Sequence, residues 1–359
     1  MVNSCPISVN RRKRYGTFRR HHGSGSLADI PDSCADQVKM KTIVILRDRP
    51  STPMEYAIDH YVLRWEAAGY RVINHIGIVD VPDADILIVH IDLTVIPQEY
   101  VDIIAKFPLV INGKILNISK RLFSHLLLSK TDTYTGPVIV KTNANYGGNP
   151  ENDKLNQRDQ FNRVLISDKI PKKLLNRLRI IRSFLQKFPI TTLIFQFIKG
   201  VLYRRPMQKW DKFKTMNPLF YPIFKDINSV PNGVWKNTNL IVERYINNCK
   251  DELFYVYCCV FFGDKEITQR LESPNPIVKY SNSVSVEQIQ VPDEVMQWQK
   301  DLKIDFGRFD YLEFEGRYFL IDINKTEGGG ADICYEYQGE IDYLASGLKF
   351  CLKRESKKS

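Results

Sequence analysis

Cysteines are sparse in this chain of 359 residues: there are seven, an odd number, and no two form a Cys-x-x-Cys pair. A disulfide framework and a thiolate zinc site are therefore not expected. Cys258 and Cys259 are adjacent within an apolar run, which reads as buried thiols in a reducing compartment. Long apolar stretches are missing too, and no uninterrupted run approaches the ~20 residues that span a bilayer. The cluster Arg11, Arg12, Lys13 and Arg14 is followed by no apolar segment of the secretory kind, so a cytoplasmic protein is expected.

What remains is ordinary for a globular chain, 43% hydrophobic and 26% charged, and long enough for two or three subdomains. A net charge of +10, from 51 basic and 41 acidic side chains, suits a polyanionic partner such as a nucleotide, a nucleic acid or an anionic membrane surface. Charge alone does not choose among them. Residues 1–38 mix basic residues with a Gly-Ser segment and few apolar anchors, and read as a disordered basic tail.

From residue 39 to 116, β-rich runs at 42–46, 70–75, 86–90 and 109–112 alternate with helical patterns at 56–68 and 98–105. Such alternation implies a parallel sheet flanked by helices, an α/β domain. His90 and Asp92 stand at the carboxyl end of one strand, where ligands of such sheets gather, although ending the strand is the plainer role. Residues 117–128 read as an amphipathic helix carrying Lys120. A buried strand at 138–140 then ends in Lys141, and a polar loop with Gly147 and Gly148 follows. Free backbone N–H groups beside an ammonium suit anionic phosphate oxygens, while two adjacent glycines also serve plain turns.

Residues 151–230 form a strongly basic insertion, read as a lid. Within it, 172–205 also permits peripheral contact with a membrane surface, the less favoured reading. Strands follow at 240–246 and 252–262, the latter turning at Gly263-Asp264 and returning over 266–270. A helix over 340–351 and a basic tail close the chain, within a last segment of 332–359.

The stretch 309–330 carries the most chemistry. Two alternating runs flank Gly316 as a β-hairpin, and a three-residue loop would set Asp310 across from Asp322. Asn324, two residues on, shares that face. Two carboxylates and an amide oxygen form a hard donor set, the kind that holds Mg²⁺ together with substrate phosphates. Acidic residues on a hairpin are otherwise just its solvated face.

The order of these features, lysine with glycine loop, strand 240–246, paired strands and acidic hairpin, resembles the ATP-grasp superfamily over residues 39–331 apart from the insertion. The resemblance implies an α/β plus α+β fold, in which an N-terminal α/β domain precedes two lobes (117–331) that clamp ATP. It implies that Lys120, which follows Asn112, and Lys141 with Gly147 and Gly148 meet the phosphates. By the same match, the main chains of Arg244 and Ile246 meet adenine, Glu243 faces the purine and Asp251 the ribose. Asp310, Asp322 and Asn324 would hold Mg²⁺, and Arg270 with Lys141 would contact the transferring phosphoryl group, as Lys279 also would. The chain departs from the family in having Asp322 where Glu is more usual, and in the short segment between Lys120 and Lys141. The implied activity is ATP- and Mg²⁺-dependent ligation of a small-molecule carboxylate to an amine through an acylphosphate, with no nucleic acid partner. A phosphotransferase acting on a hydroxyl, or a non-catalytic ATP-binding scaffold, are the alternatives.

Overall fold

A computed structural model describes residues 40–153, 210–329 and 338–356. The expected basic tail, most of the expected basic insertion and residues 330–337 lie outside them.

Four parallel strands, β1 (Thr42–Arg47), β2 (Arg71–Ile76), β3 (Ile86–Val89) and β4 (Val110–Ile111), form the first sheet in the order β2-β1-β3-β4. Apart from its first residue, β1 is buried on both faces, as is all of β3, which accounts for their continuous apolar sequences. One face carries Ile43, Ile45, Ile86 and Ile88 against Ile58, Tyr61 and Trp65 of helix α1 (Ala57–Ala67), and the same core takes in Phe262 and Phe306. The other packs Val44, Leu46, Leu87 and Val89 on Tyr100 and Ile104 of α2 (Gln98–Ile104). The expected parallel sheet flanked by helices is present.

After α3 (Lys120–Phe123) comes a small antiparallel sheet, β5 (Leu127–Leu128), β6 (Val138–Thr142), β7 (Ile223–Phe224) and, past the short α4 (Asn232–Trp235), β8 (Leu240–Arg244). Its order is β5-β8-β6-β7. The helix expected over 117–128 is thus a single turn. Leu127 and Leu128 pair with Glu243 and Val242, so the open edge of β8 satisfies their backbone and takes them out of a helix.

The third sheet has six strands: β9 (Cys249–Lys250), β10 (Leu253–Phe262), β11 (Lys265–Ser273), β12 (Ser285–Ile289), β13 (Phe306–Phe314) and β14 (Arg317–Asn324). They are antiparallel, in the order β12-β11-β10-β13-β14 with β9 on β10. Helix α5 (Asp293–Asp301) lays Val295 and Trp298 on Phe309 and Tyr311. The helix expected over 340–351 is two, α6 (Gln338–Ala345) and α7 (Leu348–Ser356). Gly347 lies between them, where the Phe262 carbonyl oxygen leaves no room for a Cβ.

Asn112 fastens the first sheet to the third. Its backbone N–H donates to Asp305 Oδ2 (2.9 Å), its side-chain amide to the Phe306 carbonyl (2.7 Å), and its Oδ1 accepts the N–H groups of Asp305 and Phe306. The residue is wholly buried, so this clasp sets how the two sheets meet.

Candidate functional site

The hairpin of β13 and β14 does set Asp310 opposite Asp322, but by a route other than the expected one. Phe314 pairs with Arg317, so the loop is Glu315 and Gly316 alone, with φ of 52° and 71°. Both angles are those of the tight hairpin turn that matches strand twist. That turn would misalign the aspartates, and a bulge beyond Asp310 restores the register. Arg308, opposite Asn324, lies on the same face as Asp310.

Charges converge there. Asp310 is 3% exposed, with Oδ1 2.8 Å from Arg308 Nε and Oδ2 3.4 Å from Lys279 Nζ. Burial alone would raise its pKa, but the Arg308 and Lys279 charges outweigh burial and hold the carboxyl at about 2. The Cys258 thiol donates to Asp310 at 3.3 Å, and burial followed by the Asp310 charge keeps it well above the usual thiol range. Arg308 also reaches Glu327 at 2.6 Å. Burial lowers the Lys279 pKa, but the Asp310 and Asp322 charges outweigh it and leave the ammonium more basic than usual.

Lys120 and Lys141 come from other elements into the same cleft. Lys120 Nζ sits 3.0 Å from Asp322 Oδ1 and donates to the Ala144 carbonyl at 2.9 Å. Lys141, on β6, pairs with Glu243 of the neighbouring β8 at 2.6 Å. Lys120, Lys141, Lys279, Glu243 and Asp322 line one cleft between the second and third sheets, together with the apolar Leu126, Ile139, Phe254, Val256, Ile277 and Leu312. Arg244, Tyr245 and Ile246 line it as well.

Other expected residues lie elsewhere. Gly147 and Gly148 have φ of +69° and +75° and face the chain itself: a Cβ would meet the Met216 carbonyl oxygen at 2.0 Å and that of Lys214 at 2.8 Å. Their lack of side chains serves this close backbone approach, and neither lines the cleft. Arg270, on β11, pairs with Glu272 and Glu287 at 2.9 and 3.1 Å, outside the cleft lining, because it shares a sheet face with its cross-strand partner Tyr257 rather than with the cleft-lining Val256. Asp251 occupies an exposed turn with φ 51°, outside the lining. The Arg244 N–H donates to the Leu126 carbonyl at 2.8 Å, since β5 occupies that edge. Asn324 is on the right face, but its Oδ1 accepts the Thr326 N–H at 2.9 Å and its amide donates to Glu327.

Sequence reasoning passed over Arg308 and Glu327, although the alternation Arg308-x-Asp310 already put both charges on one face. It also passed over Lys325, which is 1% exposed and whose ammonium has no hydrogen-bond partner among the described residues. Burial lowers the Lys325 pKa to about 8 against the pull of Asp92, Asp48 and Glu151. No local pattern marks it. Of the strand-end pair, His90 is packed edge-on against Tyr56 and stacked on Phe306. Asp92 accepts hydrogen bonds from Thr326 Oγ1 (2.7 Å) and Tyr56 Oη (3.0 Å), and so holds the loop that follows β14.

Among the described residues, no three His, Cys, Asp or Glu side chains form a metal-holding group on their own. The donor set nonetheless fits Mg²⁺ shared with phosphates: hard carboxylate oxygens of Asp310 and Asp322 on paired strand positions, against which the chain sets its own cations. Those ammonium groups occupy positions where a positive charge is favoured.

No family model matches the chain, and no curated protein does. Solved structures do. D-alanine–D-alanine ligase from Bacillus anthracis complexed with ATP matches 89% of this chain and 100% of its own at 11% identity and a TM-score of 0.42. The RimK domain protein ATP-grasp from Sphaerobacter thermophilus matches 87% and 99% at 8% identity and a TM-score of 0.41. Macrocyclase MdnC from Microcystis aeruginosa, bound with precursor peptide MdnA, matches 86% and 98% at 10% identity and a TM-score of 0.42. Each of these matches spans most of both chains at low identity.

Proposed function

We propose that this chain is an ATP-dependent ligase of the ATP-grasp kind, joining a carboxylate to an amine. The observation that carries the reading is the convergence of Lys120, Lys141 and Lys279 with Asp322 in a cleft that is also lined by apolar side chains. An apolar slot beside clustered ammonium groups suits a purine with its phosphates. The names of the similar structures, a ligase, a macrocyclase and an ATP-grasp protein, agree with it.

In this reading the substrate carboxylate oxygen attacks the γ-phosphorus and ADP leaves. The amine then attacks the acyl carbon of the acylphosphate, and inorganic phosphate leaves with the amine proton lost to solvent or a base. Lys120, Lys141 and Lys279 offset the charge of the phosphates, and their aim before substrate arrives lowers the cost of reorganisation. Asp310 and Asp322 would hold Mg²⁺, with Asn324 beside them, and the ion supplies charge neutralisation on the phosphate oxygens.

The test is ADP release from magnesium and ATP across pools of amino acids, small carboxylates and peptides, with mass spectrometry of the products. An amide product that depends on an amine is expected. A stable phosphorylated acceptor would mean a phosphotransferase instead, and nucleotide binding without turnover a scaffold. Asp322→Asn should lower turnover at least about a hundredfold, and full activity in that variant would remove the site assignment.

A further inference from the structure

Asp322 in the cleft and Asp310 opposite it on the hairpin are each already matched by a cation of the chain. Asp322 holds Lys120 at 3.0 Å, and Asp310 holds Lys279 through Oδ2 at 3.4 Å. Asp310 keeps a second partner, since Arg308 Nε meets the other oxygen at 2.8 Å. Lys120 is 1% exposed and has one further bond, to the Ala144 carbonyl. Lys279 retains more freedom, its side chain being 28% exposed.

These pairs impose an exchange. A divalent cation arriving alone would have to take the carboxylates from the lysines, leaving the Lys120 ammonium buried without a counter-charge, which is expensive. A nucleotide arriving without metal would draw the lysines to its phosphates, leaving Asp322 without its cation and facing Asp310 and the phosphates as like charges. When both arrive, the cation replaces the lysines at the carboxylates and the phosphates replace the carboxylates at the lysines. No charge is stranded. Arg308 stays on Asp310 throughout, so that carboxylate is never without a partner.

We propose that Lys120 and Lys279 are specificity-determining residues that keep Asp322 and Asp310 closed to a bare divalent cation, so that the cleft takes metal and nucleotide only together. The inference rests on the nucleotide reading above and adds to it that metal and nucleotide each raise the affinity for the other by the same factor.

The test uses the full chain and two probes. Mn²⁺ is titrated without nucleotide and followed by the paramagnetic resonance of the free ion. A fluorescent ADP analogue is titrated with magnesium and again with EDTA. Wild type should bind Mn²⁺ no tighter than about 1 mM, and Lys120→Met and Lys279→Met should each bind it at least about tenfold more tightly. Magnesium should raise nucleotide affinity at least about tenfold in wild type. Micromolar Mn²⁺ binding to wild type, lysine variants that bind Mn²⁺ no better, or equal nucleotide affinity in magnesium and EDTA would each overturn the exchange while leaving the nucleotide reading standing. Absence of nucleotide binding under both conditions would overturn that reading as well. Should Lys120→Met fail to fold, Lys279→Met and the two wild-type titrations decide the matter.

Discussion

Glu243 has no solvent exposure, and its counter-charge is Lys141 at 2.6 Å. Removing only the ammonium strands a buried carboxylate, so Lys141→Met should lower the unfolding free energy by about 3 kcal/mol. It should also weaken ATP binding at least about tenfold, since a phosphate partner is lost. Lys141→Met combined with Glu243→Gln should recover most of the stability but none of the affinity. Denaturant unfolding and calorimetric titration of the three variants separate the two roles, and unchanged ATP affinity in Lys141→Met would take this lysine out of the phosphate site. The pairing itself was not legible at 141 or 243, because a lysine ending a strand and a glutamate within another become partners only once β6 and β8 lie side by side.

His90 offers a second residue-scale prediction. It is 2% exposed, and burial, followed by the Arg47 charge, pushes its pKa well below the usual histidine value. The unfolded chain takes up a proton near pH 6.5 that the folded chain refuses, so this contribution is complete above that pH and is lost as pH falls towards the folded value. The slope is roughly 1.4 kcal/mol per pH unit. His90→Phe should therefore lose less stability than wild type between pH 7 and pH 5.5 in urea unfolding. Equal losses would show that His90 protonates as freely in the folded state as in the unfolded one.

At the scale of elements, glycines at left-handed φ do different jobs. Gly316, in the hairpin loop, has nothing within 4 Å of a notional Cβ, so Gly316→Ala should cost only the backbone strain, about 1–2 kcal/mol. Gly147 has the same kind of φ and the Met216 carbonyl oxygen 2.0 Å from that position. Gly147→Ala should cost roughly 3 kcal/mol or more, with strain and displaced backbone both counted. Thermal unfolding of the pair checks this, and equal shifts would mean that the 214–218 segment yields freely. The turn at Gly316 was readable from local chemistry. The use of Gly147 was not, because its partner segment lies far along the chain, within the expected basic insertion.

For the whole molecule, the first sheet governs the hairpin from a distance. Asp92, past the end of β3, holds Thr326 and Tyr56 and pairs with Arg49 at 3.3 Å. Asp92→Ala should release the loop that follows β14, lowering kcat about tenfold through lost positioning while ATP affinity stays within about twofold. Faster amide exchange across residues 322–328 should accompany it. Unchanged exchange there would mean that the first sheet does not restrain the loop.

Side-chain alternation and strand length are local, so the sequence alone determined the β1 and β3 runs, the long antiparallel strands and the shared face of Asp310, Asp322 and Asn324. Even there, the bulge that keeps the two aspartates opposed was invisible, since one extra residue in a ladder leaves no mark on composition. Tertiary structure decided which cation meets which carboxylate, that Arg270 faces outward to Glu272 and Glu287, and that Gly147 and Gly148 serve the chain's own backbone. Those outcomes depend on how three sheets pack, and contacts between distant segments are set by the whole core rather than by any stretch that contributes to them.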